Sequence, residues 1–463
     1  VTEPTPALRR TLSLKGVVAF GLAYMAPLIV LGTFGVVAGE THGAVPTAYL
    51  LAMVAMIFTA HSYGKMAARH PVAGSAYTYV RRAIDSRAGF LVGWATLLDY
   101  FFLPMVIWLI GAAYLKAQFP AVPSWVWILA FIALTTTLNV CGIRTAERAN
   151  DLLMTFQVLV IVFFAALSLL HVFHRGGTGA LFSATPFVND ATTVTGISAG
   201  AAVAAYSFLG FDAVTTLTEE AVDPQRTIPR AILLTALIGG GIFVALAYTT
   251  QLVHPGAEFA DPDSAAFEIA KTIAGDLFAS FFLAGLVVAQ FASGIAAQAS
   301  ASRLLYAMGR DGVLPRRLFG YLHPRLRTPA FNIALTGLIG LIALRLSVTT
   351  STSFINFGAF TAFTLVNVSV IATYLRERHA GNRLNPVTHL AFPAVGAVVD
   401  LWLLSRLDGK ALTLGLVWLA VGICYLAHLT RLFRVPPPEM HFAEEPVPAG
   451  ASGTAERPGH AAD

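Results

Sequence analysis

Cysteine and charge are both scarce in this chain. Cys141 and Cys424 are the only cysteines in 463 residues, too few for a disulfide framework and not paired as a CxxC. Charged residues make up 12% of the chain, against about 25% in an average soluble domain. With 56% hydrophobic residues, a soluble globule would lack the polar surface to cover itself. HExxH and P-loop patterns are absent too, so the common signatures of zinc hydrolases and phosphate-cradling loops are missing. No enzymatic role, cofactor or metal site is expected. The 12 histidines are scattered, mostly near the ends of apolar runs, where solvated loop histidine is the simplest reading.

What the chain does have is apolar runs of about 20 residues, the length at which a helix spans the hydrocarbon core. Twelve are expected, near 16–39, 45–68, 88–117, 123–142, 151–173, 195–220, 230–253, 277–308, 329–347, 352–375, 388–405 and 411–433. The fold class is therefore an all-α polytopic membrane protein. Continuous apolar runs exclude a closed barrel, whose strands alternate. Residues 1–15 read as a polar segment, with no cleavable signal expected. Residues 436–463, rich in Pro, Ala and Glu, read as a disordered tail.

The loops give an orientation. With the N-terminus inside, all 30 basic residues fall on the inner side except Lys116, Arg175, Lys271, Arg345, Arg406 and Lys410. The positive-inside rule favours this arrangement, with both termini cytoplasmic, in the cell (cytoplasmic) membrane. The net charge of +5 then reflects topology and contact with anionic headgroups, and no nucleic-acid partner is expected.

Two runs are interrupted. The first reads "GLAYMAPLIVLGTFG", with Pro27 inside it, and the sixth reads "YSFLGFDAV", with Gly210 at its break. Proline removes a backbone donor and glycine tolerates unwound geometry. Each interruption alone could be a kink or a packing site. Spans one and six, five apart, are where an inverted repeat of five helices would place matched breaks, and such breaks line substrate sites in secondary transporters.

Three stretches, "PVAGSAYTYVRRAI" (71–84), "GFDAVTTLTEEAVDPQRTIPRAI" (210–232) and "SRLLYAMGRDGVLPRRLFGYLHPRLRTPA" (302–330), resemble the amino acid–polyamine–organocation transporter superfamily. Within it, "GLAYMAP", "GWATLLDYFFLPM" (93–105) and "INFGAFTAFTLVN" (355–367) resemble bacterial proton-coupled putrescine importers. The resemblance implies a five-plus-five inverted repeat, with repeats over about 16–173 and 195–375 and two further helices over 388–433. It also implies a substrate site between helices 1, 3, 6, 8 and 10, and alternating access. The partners implied are a small amine, putrescine first, and protons. An amino-acid or ethanolamine-like permease is the alternative, and a non-transporting membrane sensor a more remote one.

The individual residues divide by chemistry. Asp99 lies about eleven residues into the third run, roughly 17 Å along a helix, where an acid costs about 2.5–3.5 kcal/mol or more. Tyr100 beside it offers a ring face for a cation. Asp212 follows the break formed by Phe208, Gly210 and Phe211, and either reaches the same cavity or caps the helix restarting at Ala213. Tyr24, Met25 and Ala26 form the first break, with "GTFG" (32–35) as an alternative break. Ser293, Gln290 and Gln298 in the eighth run and Asn356 in the tenth add polar contacts, or serve packing. Some proton-coupled relatives carry a lysine in helix 5, where this chain has Gln157. A coupling proton would then ride on Asp99, Asp212, Glu219 or Glu220. The two glutamates sit at the inner end of the sixth run, in reach of Arg226 or Arg230 as a gate.

Overall fold

The computed structural model describes residues 10–72, 75–141, 147–326 and 328–439, apart from the side chains of 147–154 and 219. Most of the expected tail and of the 1–15 segment lies outside these residues. Among them the only extended pairing is an isolated bridge between Leu12 and Ala221, as expected where lipid offers the backbone no hydrogen bonds. The helices are α1 (Leu14–Met25), α2 (Ile29–Thr41), α3 (Val45–Arg69), α4 (Ser75–Ala83), α5 (Ser86–Gln118), α6 (Ser124–Val140) and α7 (Glu147–Ala180). They continue as α8 (Val194–Ala204), α9 (Pro224–Val253), α10 (Ala265–Arg310), α11 (Arg316–Phe319), α12 (Ala330–Ile339), α13 (Val348–His379), α14 (Phe392–Leu404) and α15 (Gly409–Leu429).

Among the described residues, nine helical runs are long and apolar enough to cross a bilayer, and α1 with α2 make a tenth across a 49° bend. The fourth and ninth expected spans are shorter: α6 has 17 residues, and α12 runs on only to Leu344 through a 3₁₀ turn. The eighth span, expected at 277–308, begins just past a break. Ala274 and Gly275 interrupt α10 with non-helical dihedrals, so residues 265–273 form a separate helix ahead of the span.

The first break falls at residues 26–28. A residue before proline is pushed out of the right-handed helical region, and Ala26 adopts φ 46°. The "GTFG" run is not a break but lies within α2. A Cβ on Gly35 would stand 2.3 Å from the Pro262 carbonyl oxygen, so that glycine serves close packing.

The sixth span is α8, a 3₁₀ turn over Ala205–Phe208, a sharp bend at Gly210, and a second 3₁₀ stretch over Ala213–Glu219. Gly210 has φ +115°, and a Cβ there would lie 2.4 Å from Tyr24 Cδ1. The two breaks therefore touch, with the Tyr24 ring lying on the Gly210 backbone. A buried chain of hydroxyls joins them again: Thr33 on α2 to Tyr49 on α3 at 3.3 Å, and Tyr49 to Ser207 at 3.2 Å.

Around these breaks α5, α13 and the 194–218 run are the most enclosed, 67%, 78% and 78% buried. α14 and α15, only 28% and 17% buried, lie at the periphery. Leu416, Val417 and Val421 of α15 are exposed, as a lipid-facing surface requires.

Gly210→Ala is expected to cost more than about 1 kcal/mol, because a Cβ is forced to positive φ and collides with Tyr24. Thermal unfolding in detergent should show a lower Tm, only partly restored by adding Tyr24→Ala. An unchanged Tm would contradict the contact.

Candidate functional site

Asp99 stands near the middle of the 33-residue α5. Its Oδ1 atom is buried without a hydrogen-bond partner. Asp212 is its electrostatic neighbour, and both acids act on Tyr24, while Asp99 also acts on Tyr206. The Tyr24 and Tyr100 hydroxyls adjoin. Tyr24, Ala26, Asp99, Tyr100, Asp212 and Ser293 all remain partly accessible, although they come from helices packed in the interior. Among the described residues no ion pair involves either acid.

Asp212 occupies the position before the 3₁₀ stretch in a helical conformation (φ −78°, ψ −23°) and makes no side-chain capping hydrogen bond. The capping contact to the second or third amide is missing, although the backbone amides of Gly210, Asp212 and Ala213 lie close to the carboxylate. The acid is left facing Tyr24, Tyr63, Tyr79 and Tyr100. Two carboxylates without a cation, edged by tyrosine rings and hydroxyls, can bind a small organic cation by charge and by ring faces. Beside the first break, a cavity of about 20 Å³ is lined by residues including Ala26, Ile29, Gln290 and Ser293, room for about one water.

Other expected residues point elsewhere. Met25 packs on α9, where a Cβ on Gly239 would come 2.7 Å from its Cε. Phe208 meets Phe243 edge-on at 5.1 Å. Phe211 packs against Tyr63 and Phe363. Asn356 donates to the Ala202 carbonyl at 2.7 Å, tying α13 to α8 just before the break, while its Oδ1 has no partner. Gln157 is buried, with Oε1 unpartnered. Gln298 is a staple, donating to Thr136 and the Ile333 carbonyl and accepting from Asn139.

At the end of the sixth span, Arg226 pairs with Asp223 at 3.8 Å. The Glu220 carbonyl accepts from the Thr11 and Leu12 amides, so the N-terminal segment closes over it. The Glu219 side chain lies outside the described residues.

Three tyrosines and one acid escaped the reading by motif. Tyr63, Tyr79 and Tyr206 surround the two acids, and each was legible only as one aromatic among many. Asp400, alone in the apolar run "GAVVDLWLL", is fully buried on α14.

A helical bundle in which two interrupted spans meet beside uncompensated carboxylates defines a polytopic membrane transport protein rather than an enzyme. The amino acid permease family profile matches residues 12–439. The low-affinity putrescine importer PlaP of Escherichia coli (strain K12) is 43% identical over 434 residues, covering 93% of this chain and 96% of that protein. The methylthioribose transporter of Bacillus subtilis (strain 168) is 26% identical over 90% of this chain and 92% of its own length. Human cationic amino acid transporter 4 is 28% identical over 79% of this chain and 60% of its own length. The chain belongs to the amino acid permease family of the amino acid–polyamine–organocation superfamily.

Proposed function

We propose that this protein imports putrescine, or a diamine of similar length, with Asp99 and Asp212 each holding one ammonium group. The observation that carries this reading is the pair of neighbouring acids, on α5 and at the sixth-span break, with no described cation on either. Four methylenes set two ammonium nitrogens about 6 Å apart, a span two opposed carboxylates can bracket. The 43% identity to a putrescine importer over most of both chains supports the same substrate class.

A substrate carboxylate fits this break poorly. Anions bind helix termini through bare backbone amides. Pro27 has none, and those of Ala26, Ile29, Leu31 and Gly32 already bond to backbone carbonyls, which leaves those of Leu28 and Val30.

Uptake is read as proton-coupled alternating access, with twelve spans, repeats over about 16–173 and 195–375, and helices 388–433 added at the rim. The distribution of basic residues supports cytoplasmic termini and a location in the cytoplasmic membrane. Gln157 cannot titrate, so the proton must travel on a carboxyl group. Glu219 and Glu220 serve the inner gate.

Leaving one buried charge unpaired costs about 3–5 kcal/mol, or roughly 10²–10³ in affinity. Asp99→Asn and Asp212→Asn should each weaken putrescine binding by that factor in purified protein, as read by titration or ligand-dependent Tm. Glu220→Gln should slow turnover with little change in binding. Wild-type affinity in Asp99→Asn would remove the site as drawn.

In proteoliposomes, labelled putrescine should accumulate inward, collapse with a protonophore and persist without sodium. An absolute sodium requirement with no effect of the protonophore would contradict proton coupling.

A further inference from the structure

Asp400 is fully buried on α14, and the binding site described above makes no use of it. Its Oδ2 accepts from Thr59 Oγ1 at 2.8 Å and from Asn367 Nδ2 at 3.0 Å. Its Oδ1 has no partner, nor has Asn367 Oδ1. Two neutral donors on one oxygen do not offset the cost of burying a carboxylate, which demands a cation or a proton.

No described cation pairs with it. From α3, the titratable neighbour is Tyr63. His61 on the same helix is held by the Thr388 carbonyl at 3.0 Å and by the Phe392 ring. His389, in the turn before α14, bonds the Asn385 carbonyl, eleven residues or roughly 16 Å of helix from Asp400. On α13 the charged residues cluster at its end, Arg376 to His379, and α8 carries none. A proton on the carboxyl group therefore answers the charge.

The surroundings connect this acid to the sixth-span break in two parallel ways. On α3, Thr59 bonds Asp400 and Tyr63, four residues on, packs against Phe211 with ring centroids 5.7 Å apart. On α13, Asn367 bonds Asp400 and Phe363, four residues back, packs against Phe211 at 5.2 Å. Residues four apart share a helix face. Tyr63 and Phe363 also touch each other, at 5.8 Å. Two layers result: Asp400 between Thr59 and Asn367, and Phe211 between Tyr63 and Phe363. Asp212 follows Phe211 directly, and the Tyr63 hydroxyl is buried without a partner.

We propose that Asp400 is a proton-binding site of the transport cycle, coupled to the Asp212 site through the Tyr63–Phe211–Phe363 layer. In the arrangement seen here the carboxyl is neutral and holds one proton. Movement of the sixth-span break shifts Phe211, displaces α3 and α13 against α14, and opens the carboxyl to water, to which the proton is released. This rests on the proton-coupled reading above.

The test uses full-length protein in proteoliposomes, with two assays of labelled putrescine: exchange without a gradient, and accumulation driven by an imposed pH gradient. Asp400→Asn keeps an acceptor for Thr59 and Asn367 but cannot release a proton. It should retain exchange and lose gradient-driven accumulation. Accumulation in Asp400→Asn with wild-type pH dependence would overturn the proposal while leaving proton coupling intact. A wild type that shows exchange but no gradient-driven accumulation would remove the coupling reading and this proposal with it. Should Asp400→Asn fail to fold, Thr59→Val removes one donor to the ionised carboxylate. The pH at which driven uptake falls off should then move upward, and an unchanged pH profile would overturn the proposal.

Discussion

A carboxylate enclosed by hydrocarbon must find a cation, a proton or water, and the interior of this bundle is organised around that demand. Asp99 and Asp212 stay partly accessible, lack a protein cation and face tyrosines. In the proposed site they await a charge that arrives from outside the chain. Asp400 is fully enclosed, with Thr59 and Asn367 on one oxygen only. The same chemical group thus has two environments, which we read as one for an organic cation and one for a proton. A diamine bearing two positive charges and a site bearing two negative ones cancel within a low-dielectric space, where such pairing counts most.

The interrupted helices make that space. Pro27 and the left-handed Ala26 end α1, while Gly210 turns the sixth span at a dihedral that residues with a Cβ resist. The Tyr24 ring on Gly210 joins the breaks directly, and the Thr33–Tyr49–Ser207 hydroxyls join them through α3. Since α3 also touches Asp400 and Phe211, one helix senses both breaks and both kinds of acid. Peripheral α14 and α15 complete the wall, with Trp94 and Trp418 donating reciprocally to each other's backbone carbonyl across α5 and α15.

Much of this architecture was legible in one dimension because length and apolarity alone define a span. The second span, expected at 45–68, is Val45–Arg69, and the first break falls at "AYMAP" because proline acts locally. Side-chain direction was not legible. Helices that are apolar all round carry no periodic signal, so Met25 and Phe208 could be placed at the breaks but not aimed at α9. The 3₁₀ winding of 205–219 leaves the apolar pattern unchanged and was equally hidden. Gln298 gave no hint that it staples α6, α10 and α12. Asp400 carries no signal in sequence because its partners lie 341 and 33 residues away, and only the folded chain assembles them.

The central claim is that two acids each hold one ammonium of the same substrate, and calorimetric titration of the wild-type protein with putrescine and with 1-aminobutane tests it directly. The two ligands share a four-carbon chain and differ by one cationic group. Loss of one buried charge pair predicts roughly 10²–10³ weaker binding of the monoamine. Asp212→Asn should bring the two ligands close to equal affinity. Equal affinities in the wild-type protein would contradict the two-acid site.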